Sequence, residues 1–467
     1  MFEEIIAGIS NALYSYILII LLVVGGLIFC FKTKFVQFRL FKEQIKAVTE
    51  KPKDGKGVSS FQALMVSTAS RVGTGNIIGV STALCLGGFG SVFWMWIIAI
   101  IGSASAFIES TLAQIYKKKN EDGTYSGGPA HYIQKGLKNK PLAIIFTILL
   151  IFTYGVGFNM LASYNLQSTF SSYSFYNSAT TPWIIGIILA VICGYCLIGG
   201  GKRIISVTSF LVPFMGCAYI LASLVIVVIN FKMLPDVFRT IFTEAFDLQA
   251  IFGGFSGSCV MFGIKRGLFS NEAGVGSAPN ASASADVEHP VKQGLVQVLS
   301  VFIDTILVCS ASAFMCMCSG VEPSQELSGA PYVQAALSET LGAFGPIFIT
   351  VAMILFAFTT LLGNIYYVDM AVIFLCKKQP KKWIMNVYHI IAALLIFVGA
   401  GLSADLLWNI ADIAMGGMTI INIPVIFILS KYAVAALRDY DKQRKEGNDP
   451  VFKAKNINLP HDVDCWK

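Results

Sequence analysis

The sequence predicts an all-α polytopic membrane protein of eleven transmembrane helices: one leading helix, then a five-plus-five inverted repeat with two broken helices. Three observations predict it. Hydrophobic residues make up 55% of the 467-residue chain and charged residues 13%, with a mean hydropathy of +0.69, whereas a soluble domain carries roughly 25% charged residues. Apolar runs long enough to cross a bilayer, at about 20 residues each, fall near 12–31, 60–86, 92–116, 142–172, 182–200, 204–230, 248–270, 295–319, 346–376, 383–400 and 405–430. Two of these runs, at corresponding places, are interrupted by glycine.

The leading helix occupies 1–31. Its start, Met-Phe-Glu-Glu, lacks the basic region and small-residue cleavage site of a secretory signal, so the first run reads as a retained span. Residues 32–59 form a basic loop, with eight Lys and Arg between Lys32 and Lys56. Five spans follow in 60–230 and five more in 248–430, and 431–467 forms a tail. Because five is odd, the second set crosses the membrane upside down relative to the first. The loops alternate in charge. One set holds six basic residues from Lys117 to Lys140, Lys202 and Arg203, then Lys265, Arg266 and Lys292, then Lys377, Lys378, Lys381 and Lys382, and finally the tail. The opposite set holds Lys232 and Arg239. The positive-inside rule puts the basic loops and the C-terminus in the cytoplasm and the N-terminus outside a multi-pass cell-membrane protein.

The first helix of each set is the broken one. In the second span, Thr68-Ala-Ser-Arg-Val-Gly-Thr-Gly-Asn-Ile-Ile-Gly79 puts Gly73, Gly75 and Gly79 among Arg71, Thr74 and Asn76. In the seventh, Gly253, Gly254 and Gly257 interrupt Phe-Gly-Gly-Phe-Ser-Gly-Ser. Hydrocarbon offers no water to freed backbone groups, so such a break persists only where protein, ions or a ligand satisfies them. Matching interrupted spans in two halves point to a substrate and ion site at the midplane. Close helix packing through Gly75-x-x-x-Gly79 is the competing reading, but it leaves the interleaved Thr, Asn and Ser unexplained.

Other classes are poorly served. The net charge of +7 is spread between apolar runs rather than gathered for nucleic acid. Eleven cysteines lie almost all inside apolar segments, against a disulfide framework, and Cys193-x-x-Cys196 has no polar neighbours and reads as packing. His131, His289, His389 and His461 lack metal-site spacing, and His289 before Pro290 reads as a loop contact. An intramembrane enzyme lacks both a His-Glu-x-x-His and a nucleophile with a base. A channel, the runner-up class, lacks rings of like charge or repeated filter loops.

Gly87-Gly-Phe-Gly-Ser-Val-Phe-Trp-Met-Trp96 continuing to Gly102, Val72-Gly-Thr-Gly-Asn-Ile-Ile-Gly79, Gly127-Gly-Pro129, Arg266-Gly-Leu-Phe-Ser-Asn-Glu-Ala-Gly-Val-Gly-Ser-Ala-Pro279 and His289-Pro-Val-Lys-Gln-Gly294 resemble the motifs of the alanine or glycine:cation symporters, over roughly residues 12–435. The resemblance implies the leucine-transporter-type fold, with sodium as coupling ion, no other cofactor, and a small amino acid, alanine or glycine first, as cargo. On that framework the amides of Gly73, Thr74 and Gly75 face a substrate carboxylate at a half-helix N-terminus. Carbonyls around Gly254, Phe255 and Ser256 face its ammonium group. Resemblance to the wider fold makes the carbonyls of Ala69 and Val72 and the hydroxyls of Thr359 and Thr360 a sodium site. Hydroxyls bonded back to their own helix are the plain alternative. Asn76 either serves a second sodium or caps the resumed half-helix.

Two positions depart from the family pattern. Arg71 stands where a small residue is usual, and Ala162 where a glutamine is common. A buried arginine requires a partner, and Asp304, Glu272 or an anionic substrate group are the candidates. Arg71 in a cation position lowers the number of coupled sodium ions, and Ala162 leaves room for a larger or more acidic amino acid. Of the other intramembrane carboxylates, Glu109 and Asp405 read as solvated near span ends, while Asp304 is the functional candidate beside Asp369 and Asp412. Segment 265–294 reads as short helices under the cytoplasmic mouth, with Asn271 and Glu272 in gating or as a structural linker. The tail reads as a solvated or membrane-surface segment. Oligomeric state is not legible.

Overall fold

The computed structural model describes residues 2–52, 57–247, 254, 258–457, 459 and 463–466. Among these, nine helices are long and apolar enough to cross a membrane: span 1 (Glu3–Lys32), span 3 (Ser91–Ile115), span 4 (Lys140–Ser172), span 5 (Thr181–Ile198), span 6 (Gly200–Ile229), span 8 (Pro290–Met317), span 9 (Phe344–Cys376), span 10 (Lys382–Gly399) and span 11 (Ala404–Lys445). The second and seventh expected spans stand apart because each is broken. Span 2 is Ser60–Arg71, a single 3-10 turn at Thr74–Asn76, then Ile78–Gly87. Span 7 is Cys259–Asn271, an irregular stretch, then Pro279–Ser282.

Layering follows from which helices show apolar side chains outward. Spans 5, 6 and 10 expose Ile184, Ile188, Val191, Phe210, Phe214, Leu221, Ile390 and Leu394, a surface suited to hydrocarbon. Span 2 is instead buried on every side between Ala63 and Val72, polar residues Ser67, Thr68, Ser70 and Arg71 included, as is Asn76 beyond the break. Its start is fixed by a capping box: Ser59 Oγ accepts from the Gln62 amide at 3.1 Å while Gln62 Oε1 accepts from the Ser59 amide at 2.9 Å. Glycines let the inner helices touch. A Cβ on Gly363 of span 9 would sit 2.6 Å from the Ser70 nitrogen, and one on Gly263 of span 7 would sit 2.5 Å from the Ser91 carbonyl of span 3.

Three expectations need correction. Lys265 and Arg266 are not loop cations: they lie in the helix Cys259–Asn271, buried, and both pair with Asp412 of span 11, at 2.9 and 3.5 Å. The buried carboxylate allows two cations to sit at membrane depth. Span 11 does not end near 430 but runs on as helix to Lys445, past Pro424, since nothing after Ser430 breaks a helix. Beyond it the tail is docked, not solvated. The Phe452 amide donates to the Glu288 carbonyl at 3.0 Å, and Trp466 Nε1 donates to the Gln114 carbonyl at 2.8 Å. Phe452 and Trp466 are buried and meet edge to face, 5.4 Å between centroids, so apolar area outweighs the tail's charge.

Candidate functional site

The break in span 2 is built from side chains that replace helix hydrogen bonds. The Gly73 amide, which in an unbroken helix would donate to Ala69, donates instead to Asn76 Oδ1 at 2.8 Å. The Asn76 amide, which would donate to Val72, goes to the Gly73 carbonyl at 3.1 Å. The carbonyls of Ala69 and Val72 are thereby released from the helix ladder. Backbone donors at the break are Val72 (to Thr68), Asn76 and Ile77 (to Thr74), so the Thr74 and Gly75 amides carry none of these bonds. Gly73 has to be glycine: a Cβ there would fall 2.0 Å from Thr360 Oγ1, and one on Gly75 would fall 2.8 Å from the Phe269 ring.

Asn76 holds the break to the rest of the protein. Its Nδ2 donates to Asp304 Oδ1 at 2.7 Å and to Ser270 Oγ at 3.0 Å, while Ser270 Oγ donates to Asp304 Oδ2 at 2.6 Å. Thr74 Oγ1 accepts from Asn165 Nδ2 of span 4 at 3.1 Å. Asn76 thus closes the turn at Gly73 with its oxygen, while the resumed half-helix Ile78–Gly87, which it was expected to cap, starts after Ile77 with no side-chain cap. Asp304, set apart by the sequence, joins spans 2, 7 and 8 rather than pairing with Arg71.

The described interruption of span 7 lies at 272–278, not in the expected glycine cluster. Gly254 is exposed with open space around it, and Phe255 and Ser256 lie outside the described residues, as do Gly253 and Gly257. Chain direction reverses its twist at Glu272 (φ +52°), Gly274 (φ +86°) and Gly276 (φ +91°). The last two cannot carry a side chain there, since a Cβ would meet Ile423 at 2.5 Å and Phe146 at 2.8 Å. Glu272 is therefore not under a loop mouth but at the level of the span 2 break. Its Oε2 accepts from Ser277 Oγ at 2.6 Å and its Oε1 faces Ser70 Oγ at 3.4 Å. Asn271 Oδ1 accepts from the Ala273 amide at 3.0 Å and its Nδ2 is buried without a partner among the described residues.

Between the two breaks lies a narrow cavity of about 20 Å³, walled by Arg71, Gly73, Thr74, Gly75, Glu272 and Thr360, with Ser70, Leu161, Ala162, Phe158 and Phe269 completing it. Such a volume has room for about one water, so the walls stand close together around the two breaks. Phe269 stacks against Phe158 at 4.6 Å and against Trp408 at 4.8 Å, an aromatic cover that sequence reading did not single out. Ala162 lines the cavity as expected.

Arg71 is 2% exposed. One guanidinium nitrogen, Nη1, donates to Gln297 Oε1 of span 8 at 2.9 Å, and Nε and Nη2 have no partner among the described residues. Its anticipated carboxylate partners are thus replaced by a neutral amide. Gln297, alone in Leu-Val-Gln-Val-Leu, was the signal for it. The two threonines also part ways. Thr359 Oγ1 donates to its own helix, at the Leu355 carbonyl (2.9 Å), and faces Met215 of span 6; it points away from the break, as the back-bonding alternative has it. Thr360 Oγ1 is buried, unpartnered, and aimed at Gly73.

The remaining carboxylates sort by surroundings. Asp405 is exposed, as read. Glu109 is not solvated but wholly buried, accepting from Asn422 Nδ2 at 2.9 Å and from the Gly274 amide at 3.3 Å. Asp369 of span 9 meets His389 Nε2 of span 10 at 3.0 Å, a pair sequence reading missed because the two fall in separate spans. His289 caps the start of span 8, its Nδ1 accepting from the Val291 amide at 3.2 Å. No group of three or more potential metal ligands among His, Cys, Asp and Glu occurs in the described residues.

Comparison with known proteins gives three concordant results. The profile of the Sodium:alanine symporter family matches residues 1–454. The amino-acid carrier protein AlsT of Bacillus subtilis is 42% identical over 466 residues, covering 100% of this chain and 98% of its own, and the sodium/alanine symporter AgcS of Methanococcus maripaludis is 34% identical over 455 residues, covering 95% and 98%. The crystal structure of MhsT in complex with L-phenylalanine superposes with a TM-score of 0.55 at 15% identity, covering 84% of this chain and 93% of that one, a likeness of fold.

Proposed function

We propose, taking as premise that the chain belongs to the sodium:alanine symporter family, that it carries a small amino acid, alanine or glycine first, into the cell together with sodium by alternating access. The observation that carries this reading is the cavity between the two breaks, which holds an incompletely paired guanidinium on one wall and a carboxylate on another. A zwitterion needs both. The Thr74 and Gly75 amides and the free nitrogens of Arg71 receive the substrate carboxylate, and Glu272 receives its ammonium group. Sodium takes the released Ala69 and Val72 carbonyls and the Thr360 hydroxyl, hard neutral oxygens that need no formal charge. Thr359, turned toward span 6, drops out of that set, and Asn76, its oxygen engaged with Gly73, acts as the cap that releases the carbonyls.

Residues 60–230 and 248–430 form the two inverted halves that rock about this cavity, and the substrate crosses chemically unchanged. The basic loops support a cytoplasmic C-terminus and an external N-terminus even with Lys265 and Arg266 removed from the tally. Arg71 favours a second reading: its two free nitrogens can bind a side-chain oxygen, which fits a somewhat larger or acidic amino acid in the space left by Ala162. Counterflow in proteoliposomes tests the proposal. Labelled alanine exchanging against an unlabelled internal pool, only with sodium present, is the expected result; passive equilibration without exchange would indicate a channel.

A further inference from the structure

Glu109 lies outside the substrate cavity, in the last third of span 3, and its neighbours are unusual for a buried carboxylate. It is 0% exposed, and among the described residues no cation comes within ion-pair distance of it. Its two oxygens are spent on spans 7 and 11. Oε1 accepts from the Gly274 amide (3.3 Å), in the interruption of span 7, and Oε2 accepts from Asn422 Nδ2 (2.9 Å) of span 11. The same Nδ2 donates to the Gly274 carbonyl at 2.9 Å, and Asn422 Oδ1 accepts from Tyr132 of the helix Pro129–Gly136. One carboxylate and one amide side chain therefore tie the peptide at Gly274 to three other elements. Downstream of that peptide, residues 279–286 reach the basic end of span 3, where the Ala285 carbonyl accepts from Gln114 and Lys117.

The charged and titratable groups facing Glu109 are Arg71 from span 2, Glu272 from the interruption, Tyr132, and Tyr367 from span 9. The nearest basic residues of spans 1, 7 and 8, which pack on span 3, are engaged elsewhere: Lys32 on Ser430, Lys265 and Arg266 on Asp412, Lys292 on Glu50 and Asp449. Arg71 thus serves a region holding Glu109, Glu272 and Asp304, and two of the three carboxylates lack a counter-charge; Asp304 is the one ringed by hydroxyl and amide donors, from Asn76, Ser270 and Thr305. A buried charge in that position is costly, and neutralisation by a proton is the available relief.

We propose that Glu109 is a proton-binding site, and that the proton it takes unfastens the inner half of span 7. The ionised carboxylate accepts from both N–H groups and holds Gly274 in place. Protonation forms one O–H bond and converts that oxygen from acceptor to donor, so it faces an N–H with an O–H and one tether is lost. The proton enters from the outer solution when the site is open outward and leaves to the inner solution once the loosened half-helix has opened. Release restores the carboxylate and refastens the peptide. No oxidation or reduction is involved, and a proton then accompanies amino acid and sodium on each cycle. This inference rests on the transport reading above.

The test uses proteoliposomes loaded with a pH-sensitive dye, with sodium equal on both sides and alanine added outside. The wild-type lumen acidifies in step with labelled alanine entry. E109Q, whose neutral amide binds no proton, carries alanine without acidification and with a flat pH profile, whatever its rate of exchange; E109D restores both. Asn422→Ser keeps the carboxyl and removes one donor to its ionised form, so the pH of half-maximal uptake moves upward. Wild-type alanine entry without acidification, acidification by E109Q equal to wild type, or an unmoved profile in Asn422→Ser would each overturn the proposal. Absence of alanine entry in the wild type would instead overturn the transport reading itself. Should E109Q fail to fold, the wild-type lumen and the Asn422→Ser profile still decide.

Discussion

Thr360→Val replaces a hydroxyl with a methyl of nearly the same size, and its consequence follows from where that hydroxyl points. Thr360 Oγ1 is buried, has no partner among the described residues, and lies where a Cβ on Gly73 would sit 2.0 Å away. Helix-bonding therefore does not compete for it, and the substitution leaves the free protein with one fewer unsatisfied polar atom. Folding stability should be unchanged or slightly raised. Sodium binding should weaken, because an interaction between a hydroxyl oxygen and a charge is worth about 1.5–3 kcal/mol, and 1.4 kcal/mol corresponds to a tenfold change in affinity. The half-saturating sodium concentration for alanine uptake should rise on the order of 10- to 100-fold. Thr359→Val is the matched control. Its hydroxyl bonds the Leu355 carbonyl of its own turn, so its sodium curve should stay near wild type. Uptake by the two variants in proteoliposomes, titrated with sodium at fixed alanine, separates the cases. Equal curves, or a larger shift for Thr359→Val, would refute the assignment.

Other substitutions probe the remaining parts. Gly75→Leu drives a side chain into Phe269, where even a Cβ would sit 2.8 Å away; alanine counterflow should vanish while the protein still elutes as a single detergent-solubilised species. Arg71→Ala removes the free Nε and Nη2 from the cavity wall. The alanine concentration for half-maximal uptake should climb by about tenfold or more, given about 1.5–3 kcal/mol for a hydrogen bond to a charged group, with sodium dependence less affected. Unchanged alanine affinity with loss of folded protein would make Arg71 a structural partner of Gln297. Trp466→Ala deletes a buried side chain that stacks on Phe452 and donates to Gln114. It should lower stability by about 3–5 kcal/mol, read as a fall in Tm; an unchanged Tm would mean the tail contributes no packing.

Much of the fold was legible because a bilayer permits few solutions. Among the described residues nine spans follow from apolar length alone, and the break at Gly73 from polar residues that hydrocarbon does not tolerate. The site was legible on the span 2 side for the same reason. On the span 7 side two glycine-bearing stretches compete, at 253–257 and at 274–276, and local composition ranks neither; of the first only Gly254 lies within the described residues, and the second is an interruption the structure describes. What distinguishes them is tertiary: Gly274 and Gly276 have left-handed backbones closed in by Ile423 and Phe146. Lys265 and Arg266 were misread as loop charges because their counter-charge, Asp412, lies far along the chain. Thr359 and Thr360 are adjacent and chemically identical, and helix rotation alone sends one to span 6 and the other to the break. The tail's docking depended on Trp466 finding Gln114, a contact no local pattern announces.

The central claim is that a zwitterion and a sodium ion share the space between the breaks of spans 2 and 7. An experimental structure of the purified protein with alanine and sodium tests it most directly. The amino acid is expected with its carboxylate on the Thr74 and Gly75 amides and Arg71, its ammonium toward Glu272, and a cation within bonding distance of the Ala69 and Val72 carbonyls and Thr360 Oγ1. Alanine bound elsewhere, with this cavity closed and the break unchanged, would contradict the account.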